Sequence, residues 1–144
     1  MKMNAWEKAA MGFLLSGNRP SLRRLRTQAK AATVSRRQRS ANSVVTHWRV
    51  PDTVERLSSS GADYDILDVA GELPDMGLAL DFHLLIRKGA IRRLTTYAYA
   101  DDLPNLTEVR FYYLEEKPAK SGMLYRTDSR DWKYFNRMWA ISHR

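Results

Sequence analysis

Leu78-Ala79-Leu80-Asp81-Phe82-His83-Leu84-Leu85-Ile86-Arg87 decides the fold class of this chain. Leu78, Leu80, Phe82, Leu84 and Ile86 take every second position, with Ala79, Asp81, His83, Leu85 and Arg87 between them. Successive strand side chains point to opposite faces, so one face is continuously apolar and the other mixed. Lys88-Gly89 supplies a tight turn, and residues 90–99 return as the antiparallel partner. Outward from this hairpin the period of two recurs. Val44, Thr46, Trp48 and Val50 alternate until Pro51 ends the strand. Residues 65–73 read as a weaker strand with Leu67, Val69 and Leu73 on one face. Residues 106–114 place Val109, Phe111 and Tyr113 together, and residues 123–127 make a short sixth strand. The polar 58–61 stretch reads as an exposed loop, 101–105 as a break and 118–122 as a turn.

The ends of the chain carry the helical period instead. In residues 4–16, Trp6, Ala9, Ala10, Phe13 and Leu14 form one stripe, which Gly17-Asn18 terminates. Pro20 opens a second helix to about Thr33 with Leu22, Leu25, Ala29 and Ala32 inward. Residues 128–141 predict a last helix capped by Asp128 or Ser129, with Trp132, Phe135, Met138 and Trp139 as its apolar stripe. The strands follow one another without the helical crossovers that a parallel sheet needs. The expectation is a single α+β domain over residues 1–144: a basic helical segment (1–43), an antiparallel sheet of five to six strands (44–127) and a C-terminal helix.

Charge is distributed unevenly along this plan. Residues 1–50 contain eleven Lys or Arg and one acid, Glu7, while residues 51–144 contain thirteen against fifteen acids. The first third therefore carries about +10 and the remainder about −2, which together make the net charge of +8. Such asymmetry marks an anion-binding face or a segment that docks on something acidic. An apolar fraction of 44% is ordinary for a globular protein and needs no cofactor to hold it together. The absence of cysteine removes thiolate chemistry, disulfides and Cys-based metal sites, and fits a cytoplasmic protein. No apolar run approaches the ~18–20 residues of a membrane span. The opening Ala9-Ala10-Met11-Gly12-Phe13-Leu14-Leu15 mimics a signal peptide. Trp6, Glu7 and the following Arg19-Pro20 favour an amphipathic helix.

Leu15-Ser16-Gly17, then Leu22, Leu25, Arg26 and Gln28, then Thr46-His47-Trp48-Arg49-Val50, followed by residues 82–86, Gly89, Leu94, Tyr97 and Tyr99, form a recognisable order. The chain over residues 6–104 resembles a group of small bacterial proteins of unassigned function, similar to orphan products of mobile gene cassettes. Where that group has an aromatic strand before the threonine, this chain has Val44-Val45. Where its hairpin carries Leu-Glu-Gly, this chain has Leu94-Thr95-Thr96. The resemblance implies a small helix-plus-sheet fold and brings no catalytic residue with it.

Four constellations bear on function. Arg23, Arg24, Arg26, Lys30, Arg36, Arg37 and Arg39, with Arg49 beyond them, occur without an intervening acid. Arginine forks suit phosphate oxygens, and counterion release makes such binding independent of sequence. On the second helix, Arg23, Arg26 and Lys30 flank the apolar stripe. Residues 35–43 show no apolar period and read as a basic loop. The competing reading is a solvated face, or a loop docked on the acids of its own chain or of a partner subunit. Second, six acids within residues 63–81 lie near His83, and Asp81 shares a strand face with it. These two are the best available metal ligands and hint at a metal-dependent phosphodiesterase. Third, His47, His83 and His143 read as structural. There is no nucleophile elbow, phosphate loop, dinucleotide fingerprint, RNA-recognition motif or helix-turn-helix. Fourth, Trp132, Phe135, Met138 and Trp139 exceed what one helix seam needs, and point to an apolar ligand pocket or a two-fold homodimer.

The leading expectation is a non-enzymatic binding or interaction protein, bacterial and cytoplasmic, dimeric, without cofactor or membrane attachment, taking a protein or small apolar ligand. A nucleic-acid-associated protein working through residues 23–39 is the alternative, with the phosphodiesterase third. Whether the arginines are free or internally paired separates the first two.

Overall fold

The computed structural model describes residues 1–57, 63–117 and 123–142, with side chains through residue 139. The chain runs α1 (Ala5–Leu14), α2 (Pro20–Ala31), β1 (Thr33–Arg39), β2 (Ser43–Arg49), β3 (Tyr64–Leu73), a 3-10 turn (Pro74–Met76), β4 (Leu78–Arg87), β5 (Ala90–Ala98), β6 (Arg110–Glu116), β7 (Leu124–Thr127) and α3 (Trp132–Ser142). Among the described residues, seven strands form one antiparallel sheet in the order β1-β2-β5-β4-β3-β6-β7. The fold is α+β, with two N-terminal helices and one C-terminal. The expected turn at 118–122, the expected loop at 58–61 and His143 lie outside the described residues.

The alternation of β4 is realised as read: its five apolar side chains are buried, and the intervening five are partly or fully exposed. Lys88 and Gly89 both have positive φ (52° and 76°), as a two-residue hairpin between right-twisted strands requires. Gly89 also leaves no room for a side chain, because a Cβ would run into the Leu57 carbonyl oxygen. The helices cover the apolar face. From α1, Trp6 lies 6.5 Å from Phe82 and Phe13 stacks 5.1 Å from Phe111 (centroid to centroid). From α2, Leu22 and Leu25 are fully buried. From α3, Trp139 stacks 3.8 Å above Tyr64. Each such large apolar side chain contributes roughly 1.5–3 kcal/mol by leaving water.

The strand count exceeds the expectation because residues 33–39, read as loop, are β1. No local apolar period announces this strand. Its inward positions are satisfied from elsewhere: Val34 packs in the core, Arg37 reaches Glu7 of α1, and Arg39 donates to the Leu103 carbonyl. Outward stand polar residues, and the irregularity between Val34 and Arg36 interrupts the edge, which discourages pairing with other sheets. Three further expectations shift. In β3, a bulge between Ile66 and Val69 breaks the alternation, so Asp68 is buried and Leu67 is not. The cap of α3 is Asp131, whose Oδ1 accepts from the Lys133 and Tyr134 amides, rather than Asp128 or Ser129. On α1 the buried stripe is Glu7, Ala10, Met11 and Leu14, with Ala9 exposed.

Three buried polar side chains fasten the helices to the sheet. Asp68 holds the Arg130 guanidinium through both oxygens at 2.8 Å, and Arg130 also donates to the Leu14 and Ser16 carbonyls at the end of α1. Those carbonyls have no helical partner of their own and carry the negative end of the helix dipole. At the other end of α1, Glu7 accepts from Arg37, from Thr46 Oγ1 at 2.6 Å and from the Asn4 amide, closing a capping box. Gln28 of α2 donates to the Glu55 and Gly89 carbonyls and accepts from the Ile91 amide. No helix among the described residues is long and apolar enough to cross a membrane.

Two stability predictions follow from these contacts. Replacing Arg130 by Met leaves the Asp68 carboxyl buried without its partner, so urea unfolding is expected to show a loss of about 3–5 kcal/mol. A loss under about 1 kcal/mol would remove the pair from its anchoring role. For Glu7, burial raises the carboxyl pKa, but the bonds from Arg37, Thr46 and Asn4 outweigh it and hold the group below its ordinary 4.5. Its stabilisation is complete above that value and is lost as pH falls through the folded-state value. Glu7→Gln should therefore lower stability by about 1–3 kcal/mol at neutral pH. The gap to the parent should close under acid, as followed by thermal unfolding across pH.

Candidate anion-binding site

Among the described residues no helix covers the second face of the sheet, and registration places three side chains in a row upon it. Arg36 of β1 pairs with His47 of β2, and His47 pairs with Arg93 of β5. Directly opposed residues of neighbouring strands lie about 4.5–5.5 Å apart, so Arg36 and Arg93 flank His47 in one row across the three strands. At its end, β1, β2, β5 and the loop after Pro51 enclose a cleft of about 730 Å³, lined by Arg36, His47, Trp48, Arg49, Arg56 and Arg92 among others.

The loop wall is built by Arg56, which donates to the carbonyls of Val50, Pro51 and Val54 and lies 3.8 Å from Asp52. Leu57 donates to Gly89, tying this wall to the β4–β5 turn. Arg36, Arg49, Arg92 and Arg93 differ from Arg56. All four are exposed, and none has a hydrogen-bond or ion-pair partner among the described residues. The Trp48 indole N–H, in a side chain only 3% exposed, likewise has no acceptor among the described residues. A buried donor left in that state costs about 1–3 kcal/mol.

His47 reports on this field. Burial, then the positive charges of Arg36 and Arg93, hold its imidazole below the ordinary 6.5. Its Nε2 lies 2.8 Å from Gln38 Oε1. At neutral pH the ring is uncharged amid arginines.

The acids on the same face are each engaged. Asp65 pairs with Arg87 at 3.0 Å, and Glu72 pairs with Arg126 at 2.9 Å and Arg110 at 3.7 Å. Asp81 accepts from Tyr99 Oη, and that bond, with burial, pushes the phenol up to about 12. His83 is held low by burial against the opposing pull of Asp81 and Asp65, and meets the Tyr97 ring edge-on at 5.4 Å. No three His, Asp or Glu side chains among the described residues stand close enough to share a metal ion, so Asp81 and His83 lack a third ligand.

The basic run of the sequence is divided by the fold. Arg37 is committed to Glu7, Arg39 to the Leu103 carbonyl and Arg26 to the Leu15 and Gly17 carbonyls. Arg23 donates to Asn18 O at 3.1 Å, and Arg24 sits 3.5 Å from Glu55 in an exposed pair. Of the seven, only Lys30 and Arg36 have no partner among the described residues. Lys30 lines a second depression of about 700 Å³, between α1 and α2, whose walls include Met3, Met11, Leu15 and Ala29. Arg92 and Arg93 escaped the local reading, because what joins them to Arg36 and Arg49 is the β2–β5 pairing.

The aromatic helix is also spent internally. Phe135 and Met138 are buried (1% and 7% exposed), and Trp132 packs on Gly17 and beneath the Arg19 guanidinium at 4.4 Å. Trp139 is the partner of Tyr64. These four residues seal α3 onto the sheet and leave no broad apolar patch of their own.

In an NMR pH titration, His47 is expected to protonate below 6.5, and either Arg36→Ala or Arg93→Ala should move its midpoint upward. A midpoint at or above 6.5 in the parent protein would show that the arginines are not close to it. No protein-family model matches the chain, and no curated protein or solved structure is significantly similar to it, so the chemistry of this face carries the functional reading.

Proposed function

We propose that the protein is a non-enzymatic binding protein that engages an acidic partner protein through the uncovered face of β1, β2 and β5. The observation that carries this reading is the difference between two sets of arginines. Those at the helix–sheet junctions are consumed by buried acids and carbonyls, whereas Arg36, Arg49, Arg92 and Arg93 stand exposed without partners on one face. Because Asp65, Glu72 and Asp81 are already engaged, the face offers net positive charge rather than a self-complementary surface. A cytoplasmic setting and a homodimer belong to the same proposal. A dimer would have to form without the α3 aromatics, which are already packed.

Nucleic acid is the second reading, favoured by Tyr97 and Tyr99. These rings, 41% and 68% exposed, lie at the far end of the β5 strand that carries Arg93, and exposed aromatics on a face that also bears cations suit stacked bases of a single strand. The phosphodiesterase reading has no comparable support.

Fluorescence polarisation over about 50–300 mM salt, with labelled poly-glutamate and single-stranded RNA or DNA as probes, tests both readings. Binding is expected to weaken steeply with salt, and by about tenfold or more in an Arg36→Ala, Arg93→Ala double variant. An Arg23→Ala, Arg24→Ala variant should bind like the parent. Poly-glutamate bound in preference to nucleic acid supports the protein-partner reading, and the reverse promotes the second. No binding of either at the lowest salt defeats both.

A further inference from the structure

We infer that the cleft between β1, β2, β5 and the loop of residues 50–57 binds the phosphate group of a phosphorylated ligand. This inference rests on the anionic-partner reading of the same face and narrows it to one chemistry. The cleft volume of about 730 Å³ is that of a small-molecule site. Its walls concentrate positive charge: Arg36, Arg49 and Arg92 are unengaged among the described residues, and Arg56 is fixed in place by three backbone carbonyls. Among the described residues that line it, the one acid is Asp52, whose fully solvent-exposed side chain pairs with Arg56 and leaves Arg36, Arg49 and Arg92 without a counter-charge.

Several guanidinium groups around one cleft call for more than one negative charge. Their planar forks match the oxygens of a phosphate dianion better than a single carboxylate. His47, neutral between Arg36 and Arg93, is a further hydrogen-bonding group that adds no charge before the ligand arrives.

The test is an NMR titration of the ¹⁵N-labelled full chain with ribose 5-phosphate and, separately, with inorganic phosphate. Sodium acetate at matched ionic strength serves as the control. The His47 ring resonances and the backbone amide resonances of Arg36, Arg49 and Arg92 should move saturably with phosphate and not with acetate. An Arg49→Ala, Arg92→Ala variant, both positions being exposed, should fold normally by circular dichroism and bind about tenfold or more weakly. Arg23→Ala should match the parent. A 5′-phosphorylated oligonucleotide that binds much more tightly than its 5′-hydroxyl counterpart would assign the phosphate to a nucleic-acid end. Saturation by ribose 5-phosphate alone would assign it to a small molecule.

Unmoved resonances up to about 10 mM ligand, or an equal response to acetate, overturn the inference. If poly-glutamate or nucleic acid still binds through Arg36 and Arg93 in that case, the broader reading of the face survives. If nothing binds, that reading falls as well.

Discussion

The bidentate pair of Arg130 and Asp68 is the contact on which the arrangement of helices depends. It joins three parts distant in sequence: the bulge of β3, the carbonyl end of α1 and the residues that lead into α3. The guanidinium is also enclosed by rings, lying 4.6 Å from the Phe135 centroid and 5.0 Å from that of Tyr113. A buried ion pair adds little net stability over a well-packed apolar substitute, because both charges must leave water. Its contribution is specificity. In this placement of α1 and α3 one guanidinium satisfies the Asp68 carboxylate and the Leu14 and Ser16 carbonyls together.

The same logic operates at the opposite end of α1. Glu7 serves as cap of its own helix, as partner of Arg37 and as acceptor for Thr46, so that α1 is fixed to β1 and β2. With Gln28 holding α2 to the β4–β5 turn, the helix layer is registered to the sheet at three polar points inside an otherwise apolar interface. The cationic face depends on this. Once α1 and α2 occupy one side of the sheet, Arg36, His47, Arg49 and Arg93 must stand on the other. Arg37 and Arg39, their neighbours along β1, turn inward and are consumed.

This division explains why a strongly basic segment is not one basic surface. Side chains alternate across a strand, so Arg37 and Arg39 of β1 serve the interior and Arg36 remains for solvent. The cations that accompany Arg36 come from Arg49 of β2 and from Arg92 and Arg93 of β5, the latter more than fifty residues later in the chain. The acids of the second part of the chain meet cations mainly of their own region, as in Asp65 with Arg87 and Glu72 with Arg110 and Arg126. The excess positive charge is left localised on β1, β2 and β5.

The sequence by itself determined the α+β class, the β4–β5 hairpin and the three helices, because each rests on short-range periodicity: every second residue in 78–87, and every third or fourth in Trp6 to Leu14. Bounds drifted by a few residues where caps compete, as with Asp131 against Asp128 and Ser129. Tertiary structure alone decided that residues 33–39 form a strand. Their ladder and the partners of Arg37 and Arg39 come from β2, α1 and Leu103, which no local pattern displays. It also decided which arginines are free and that the α3 aromatics are interior. Both outcomes depend on which groups meet across the sheet and the helix layer, and a buried carboxylate can claim an arginine thirty or sixty residues away.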